Sequence, residues 1–250
     1  MTVDLANVRL LIASPAYNGV SNNYFHATHK LRSALNKDGV FSKFITVPGV
    51  PVDAARDTIG NGFLALSRTS DGFSHCLMVD SDIGWEVDTV YKMIRRNVDF
   101  AAAAAPLRRV NWGAVDRAAK QGKTAPEKHA AIFTANLIEE GGVKKMKLDE
   151  HGFMPIEETG GAFLLLKPAV FAAIHAANPQ LVYKRIDGME ECQFFRPDII
   201  DGRRCGEDIA FQKRWRKTGG QIHLLVDAPL THEGPFTFSG NYRDMTSLGQ

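Results

Sequence analysis

What this chain lacks narrows it first. No stretch approaches the roughly 18 to 20 apolar residues that a membrane-crossing helix needs. The opening MTVDLANVRLLIASPAYNG has an acid near its start and too short an apolar run for a secretory signal core. A cytoplasmic protein without a membrane span is expected. Cysteine is scarce: Cys76, Cys192 and Cys205 are odd in number and lack metal-pair spacing, which reads as free thiols in a reducing compartment. Neither sign of charge dominates, since 30 basic and 28 acidic residues leave a net charge of +2. That balance excludes a nucleic-acid coat or polybasic membrane anchor as a property of the whole surface, while leaving local basic patches open. No repeat, low-complexity tract or linker interrupts the 250 residues, so one domain is expected over 1–250. With 44% hydrophobic and 23% charged residues, the composition is that of a soluble globular protein with a sizeable core.

The pattern along the first hundred residues alternates. VRLLIASPA (8–16), FSKFITV (41–47), HCLMVD (75–80) and VDFAAAAAP (98–106) read as strands, although alanines alone favour helix in the last. Between them NNYFHATHKLRSALNKDG places Phe25, Ala27, Leu31, Ala34 and Leu35 on one helix face, closed by Asp38-Gly39. VDAARDTIGNGFLALSRT (52–69) does the same with Ala54, Ile59, Phe63 and Leu66, and EVDTVYKMIRRN (86–97) is a third helix. Alternation of this kind predicts parallel strands joined by crossover helices, an α/β sheet of Rossmann-like kind. Residues 108–133 are polar and mixed, predicting a flexible excursion with a short helix. Residues 135–159 predict two short strands around Glu140-Gly141-Gly142, as a hairpin. Residues 160–179 predict a buried strand that turns at Lys167-Pro168 into a helix. GEDIAFQKRWRKTGG (206–220) is a helix with acids first and bases last, and QIHLLVDAPLTHEGP (221–235) is a strand and then a loop.

The stretch HCLMVDSDIGW (75–85) raises the functional question, because an apolar strand ends in Asp80-Ser81-Asp82. Ligands of open α/β sheets gather outside the carboxyl ends of the strands. Two carboxylates one residue apart at such an end can hold a divalent cation, Mg2+ or Mn2+, together with substrate phosphates. The competing reading makes Asp80 a turn-former or cap and Asp82 a surface acid. Glu207 and Asp208 open a helix, as dipole partners or as a general base towards a hydroxyl. His232 lies in a Gly/Pro-flanked loop after a buried strand, as a structural histidine or as the completion of an Asp/His metal site.

The ordered motifs Asp-Ser-Asp-Ile-Gly-Trp, Thr-Gly-Gly-Ala-Phe, Gly-Glu-Asp-Ile-Ala-Phe and Leu-Thr-His-Glu-Gly resemble those of GT-A-fold glycosyltransferases. The likeness is greatest to compact, single-domain, family-2-like members of bacteria, phages and large viruses, and it spans roughly residues 8–242. It includes VPVDAARDTIGNGFLAL before the Asp-Ser-Asp strand and AAPLRRVNW after it. The resemblance implies a GT-A fold, a Rossmann-like mixed, mainly parallel sheet flanked by helices. It implies transfer of a sugar from a nucleoside-diphosphate sugar to a hydroxyl acceptor, with inversion. Asp80 is then expected near the donor ribose, and Asp82 and His232 on a divalent cation (Mn2+ or Mg2+) that bridges the diphosphate. Asp208 is expected as the base, with Glu207 the nearby alternative. Gly160 and Gly161 match a small-residue turn approached by sugar and acceptor. Tyr17, in the loop SPAYNG (14–19), is placed to stack on the nucleotide base, and Arg56 to face the nucleotide.

The chain departs from the family where Asp57 stands after Arg56, a position often occupied by asparagine. Residues 108–133 match no family pattern, so the acceptor (glycan, lipid-linked sugar, protein or modified DNA) is not legible; Arg108 and Trp112 are candidates for its edge. Two other functions compete. A nucleotidyltransferase making nucleotide-sugars normally has a glycine-rich loop with a basic residue after the first strand, whereas SPAYNGVSNN has one glycine and no lysine. An inactive nucleotide- or carbohydrate-binding domain need not keep Asp82, Asp208 and His232 together.

Overall fold

β1 (Arg9–Pro15) has no polar face: Leu10, Leu11, Ile12, Ala13 and Ser14 are all fully buried. A strand of that kind must be covered on both sides and flanked by neighbours. A computed structural model describes residues 5–70, 72–144, 146–234 and 237–246, and places β1 in that position. α1 (Asn22–Lys37) starts at Ser21, whose hydroxyl accepts the Tyr24 N–H, and stops at Asp38-Gly39, where Gly39 takes a φ of +71°. β2 (Phe41–Val47), α2 (Val52–Leu66), β3 (His75–Val79), β4 (Ile83–Trp85), α3 (Val87–Arg96) and β5 (Phe100–Ala103) follow. β2 and β3 pair in parallel on either side of β1, as crossover helices require. The alanines of β5 form a strand because Ala101, Ala102 and Ala103 are fully buried between two sheet neighbours, and burial overrides their helical preference.

The segment predicted as a flexible excursion with a short helix is ordered, and the helix is there. β6 (Pro106–Val110) and β7 (Ala131–Phe133) pair antiparallel, with α4 (Trp112–Lys120) and a 3-10 turn (Pro126–His129) between them. α4 buries only Ala114 and Ala118, one turn apart, and leaves its largest side chain, Trp112, exposed. Next come β8 (Ala135–Leu137) and the expected hairpin of β9 (Glu139–Glu140) and β10 (Val143–Lys144). Gly141 and Gly142 both have positive φ in its two-residue turn. β11 (Phe153–Thr159), β12 (Phe163–Leu166) and α5 (Pro168–Ala177) lead to two small hairpins. These are β13 (Val182–Lys184) with β14 (Glu190–Cys192), and β15 (Asp198–Ile200) with β16 (Arg203–Cys205). α6 (Glu207–Lys217), β17 (Ile222–Leu225), β18 (Leu230–His232), β19 (Phe238–Gly240) and α7 (Tyr242–Thr246) complete the chain. His232, expected in a loop, is instead the last residue of β18, and Pro235 of that expected loop lies outside the described residues.

The central sheet runs β2-β1-β3-β12-β5-β17-β11-β8. It is the expected Rossmann-like α/β arrangement, made mixed by the second half of the chain. β12 inserts antiparallel between β3 and β5, while β17 pairs in parallel with β5. One face packs Ile59, Phe63, Phe171 and Phe211 from α2, α5 and α6; the other packs Leu31, Leu35 and Ile94 from α1 and α3. Phe25 and Ala54, assigned above to buried helix faces, point to solvent, and Tyr24 and Ala55 take the inward positions. The three cysteines are buried free thiols, as expected. Among the described residues no helix is long and apolar enough to cross a membrane.

Candidate active site

The insertion of β12 makes the site. Because it runs against β3, its beginning lies beside the end of β3: Phe163 pairs with Val79, and the Asp80 N–H donates to the Ala162 carbonyl at 2.9 Å. Gly161 therefore stands next to Asp80. Arg56 rises from α2 into this junction, 2% exposed. One Nη2 donates to Asp80 Oδ1 at 2.7 Å and to the Gly161 carbonyl at 3.2 Å, while Nη1 donates to Glu207 Oε1 at 2.7 Å. Burial alone would push the guanidinium pKa down, but the Asp80 and Glu207 charges outweigh it and the group stays fully cationic. Arg56 thus clamps the ends of β3 and α6 together, and it is not open to a ligand as the resemblance implied.

Asp208 completes this cluster. Its Oδ2 accepts the Gly161 N–H at 2.9 Å and its Oδ1 the Ile209 N–H at 2.7 Å, which fix the carboxylate's direction and leave a lone pair on each oxygen. Gly161 has no room for a side chain, since a Cβ there would lie 2.7 Å from both Arg56 Nη1 and Asp208 Cβ. Gly160 is different: its surroundings are open, and its N–H donates to the Thr134 carbonyl. α6 is docked by Gln212, fully buried, which exchanges two hydrogen bonds with the Thr159 backbone at 2.8 and 2.6 Å. Sequence reasoning missed Gln212. Its position one turn after Asp208 on a helix face was the available signal.

Asp82 and His232 meet on the other side of the turn. β4 and β18 pair with His232 opposite Ile83 and Thr231 opposite Gly84, a register that sets the imidazole beside Asp82. A Cβ at Gly84 would come within 2.5 Å of Thr231 Oγ1, so glycine permits this close pairing. His232 Nε2 is 3.2 Å from Asp82 Oδ2, and its Nδ1 is 2.8 Å from the Pro106 carbonyl. A carbonyl only accepts, so Nδ1 carries a proton. Nε2 of a neutral ring would then turn a lone pair towards a carboxylate, an arrangement that calls for a proton or a metal cation between them. Burial alone would lower the His232 pKa; the Asp82 hydrogen bond and the Pro106 carbonyl overcome it and raise the value. Burial alone would raise the Asp82 pKa, and His232 followed by Arg108 at 3.4 Å bring it below the usual range. Among the described residues no group of three or more His, Cys, Asp or Glu side chains gathers for a metal, so protein would supply two ligands here.

The first loop is tied to this turn but does not enter it. The Ser21 N–H donates to the Ser81 carbonyl at 2.8 Å, while Tyr17, 64% exposed, has no hydrogen bond or ring contact with the clusters among the described residues. Glu233, named above only as part of a motif, fastens the assembly: its N–H donates to the Asp82 carbonyl and its Oε2 accepts the Asn23 N–H at the start of α1. Asp57 points away from the site, accepting the Phe195 N–H at 2.7 Å. The Asp57 carboxylate thus ties α2 to the segment that precedes α6. Trp112 is 73% exposed on α4.

No family model matches the sequence, and no curated protein matches it. Among solved structures, the crystal structure of A197 from STIV is similar to this chain at 12% identity and a TM-score of 0.48, over 94% of this chain and 95% of that chain. The site therefore stands on its own geometry.

Proposed function

We propose that the protein is a GT-A-type glycosyltransferase that moves a sugar from a nucleoside-diphosphate sugar to a hydroxyl acceptor with inversion. The observation that carries this reading is the convergence, at the end of β3, of the Asp82–His232 pair with a backbone-oriented Asp208 carboxylate. The donor set fits a divalent cation of the Mn2+ or Mg2+ kind, which takes few protein ligands and completes its shell with diphosphate oxygens and water: one carboxylate oxygen and one imidazole held in orientation by a backbone carbonyl. Bound there, the cation would stabilise negative charge on the departing diphosphate.

The chain's own residues do the rest. Asp208 removes the acceptor hydroxyl proton as that oxygen forms a bond to the anomeric carbon. The bond from that carbon to the phosphate oxygen breaks, and its electron pair leaves with the nucleoside diphosphate. Asp80, fixed by Arg56, faces the donor ribose. Glu207 is engaged with Arg56, which favours Asp208 as the base. Tyr17 and Gly160 retain the donor-side roles implied by the family resemblance.

The test is calorimetric titration of uridine and guanosine diphosphates with and without Mn2+, on the wild type and Asp82→Ala. Manganese-dependent binding of one nucleotide, lost in a variant that still folds, is the expected result. Binding unaffected by metal or by the substitution would refute the assignment. With donor and acceptor in hand, release of a nucleoside diphosphate separates this reaction from nucleotidyl transfer, which releases pyrophosphate.

A further inference from the structure

Asp82 Oδ2 is shared. His232 Nε2 reaches it at 3.2 Å and Arg108 Nη1 at 3.4 Å. Arg108 has no other carboxylate within ion-pair distance among the described residues, and its side chain is 49% exposed. It projects from β6, the strand whose Pro106 carbonyl holds the opposite edge of the His232 ring. The backbone of Arg108 is therefore anchored to the site while its guanidinium is half exposed and held on the site side, among the described residues, by Asp82 alone. A divalent cation taking Asp82 Oδ2 would meet a guanidinium on the same oxygen, and two cations cannot share it without repulsion.

We propose that Arg108 is a placeholder and clamp: it occupies the cation's carboxylate in the free protein and transfers to the donor diphosphate when cation and nucleotide arrive. This rests on the cation and nucleotide site proposed above. Asp82 keeps a positive neighbour in both states, so its partly buried charge is never left uncompensated. In the loaded state the guanidinium gains a phosphate partner, to which its planar fork is well matched. The exchange also couples the two ligands, because nucleotide gives the displaced arginine a place to go and thereby favours cation binding.

The two steps respond to removal of Arg108 with opposite signs, which a merely structural role cannot produce. Mn2+ alone is titrated into wild type, Arg108→Ala and Arg108→Lys by electron paramagnetic resonance over the millimolar range. Uridine and guanosine diphosphates are then titrated by calorimetry at saturating Mn2+. Arg108→Ala should bind Mn2+ alone about two- to fivefold more tightly, having lost a competing surface charge. It should bind the nucleotide that the wild type prefers about tenfold more weakly, having lost a charge-assisted phosphate contact. Arg108→Lys should fall between, since an ammonium is a point charge without the fork. Weaker or unchanged Mn2+ binding in Arg108→Ala, or unchanged nucleotide binding, overturns the exchange and leaves the site assignment standing. A wild type without manganese-dependent nucleotide binding overturns both.

Discussion

Asp57 offers a sharp test of the packing behind the site, because a neutral isostere should improve it. Its carboxyl is half-buried between α2 and the chain before α6, and its pKa is pushed up to about 7 from an ordinary 3.8. Burial is the main cause. The Phe195 N–H opposes it, Asp53 and Glu191 add to it, and Arg214 opposes it. A carboxyl whose folded pKa is raised holds its proton in the native state while the unfolded chain has released it. Stability therefore falls as pH rises from about 4 to about 7, and the whole cost is present above that. A shift of roughly three units at about 1.4 kcal/mol per unit sets a ceiling near 4 kcal/mol. The side chain keeps some contact with water, so about 2 kcal/mol is the expected size. Asp57→Asn retains an oxygen to accept the Phe195 N–H and carries no charge at any pH. Urea denaturation at pH 4 and pH 8 should give nearly equal stabilities for both proteins at the lower pH, with the variant ahead by about 2 kcal/mol at the higher. A variant no more stable than wild type at pH 8 would refute the claim that an ionised Asp57 burdens the fold.

Other substitutions probe the clamp and the core. Gly161→Ala places a methyl against Arg56 and Asp208 and should cost about 1–3 kcal/mol, read by urea denaturation against the wild type. Arg56→Met leaves the Asp80 and Glu207 carboxylates without the cation between them; denaturation should show a loss of about 3 kcal/mol, the low end for a broken buried pair because both acids keep some solvent. Phe211 is fully buried, stacked on Phe195 at 4.1 Å between centroids and flanked by Phe100 and Phe171, so Phe211→Ala should cost about 3–5 kcal/mol in the same assay.

The first half of the fold was legible because its signals are local. β2 runs from Phe41 to Val47 as read from FSKFITV, and the start and stop of α1 follow from Ser21 and Asp38-Gly39 chemistry. Between Pro106 and Phe133 the short helix was legible but the strands that frame it were not, because β6 and β7 pair with each other across 20 or more residues. The insertion of β12 between β3 and β5 was hidden for the same reason: FLLL announces a buried strand and says nothing about which neighbours it takes.

The site divides along the same line. Asp80, Asp82, Glu207, Asp208 and His232 are candidates by residue type and position, since ionisable side chains at a strand end or a helix start are visible in one dimension. The contacts that hold them are not. Arg56, expected to face the nucleotide, is the buried cation that binds both Asp80 and Glu207, the latter 151 residues away in sequence. Gly161 looked like one of a pair of equivalent glycines, and only the approach of Arg56 and Asp208 separates it from Gly160. The antiparallel insertion of β12 accounts for both. It carries Gly161 to the end of β3, gives Arg56 a carbonyl as well as two carboxylates, and offers Asp208 a backbone N–H. A parallel strand in that place would enter from the opposite edge of the sheet, and the Thr-Gly-Gly turn would lie a strand's length from Asp80. The direction of one four-residue strand thus decides whether these acids form a site.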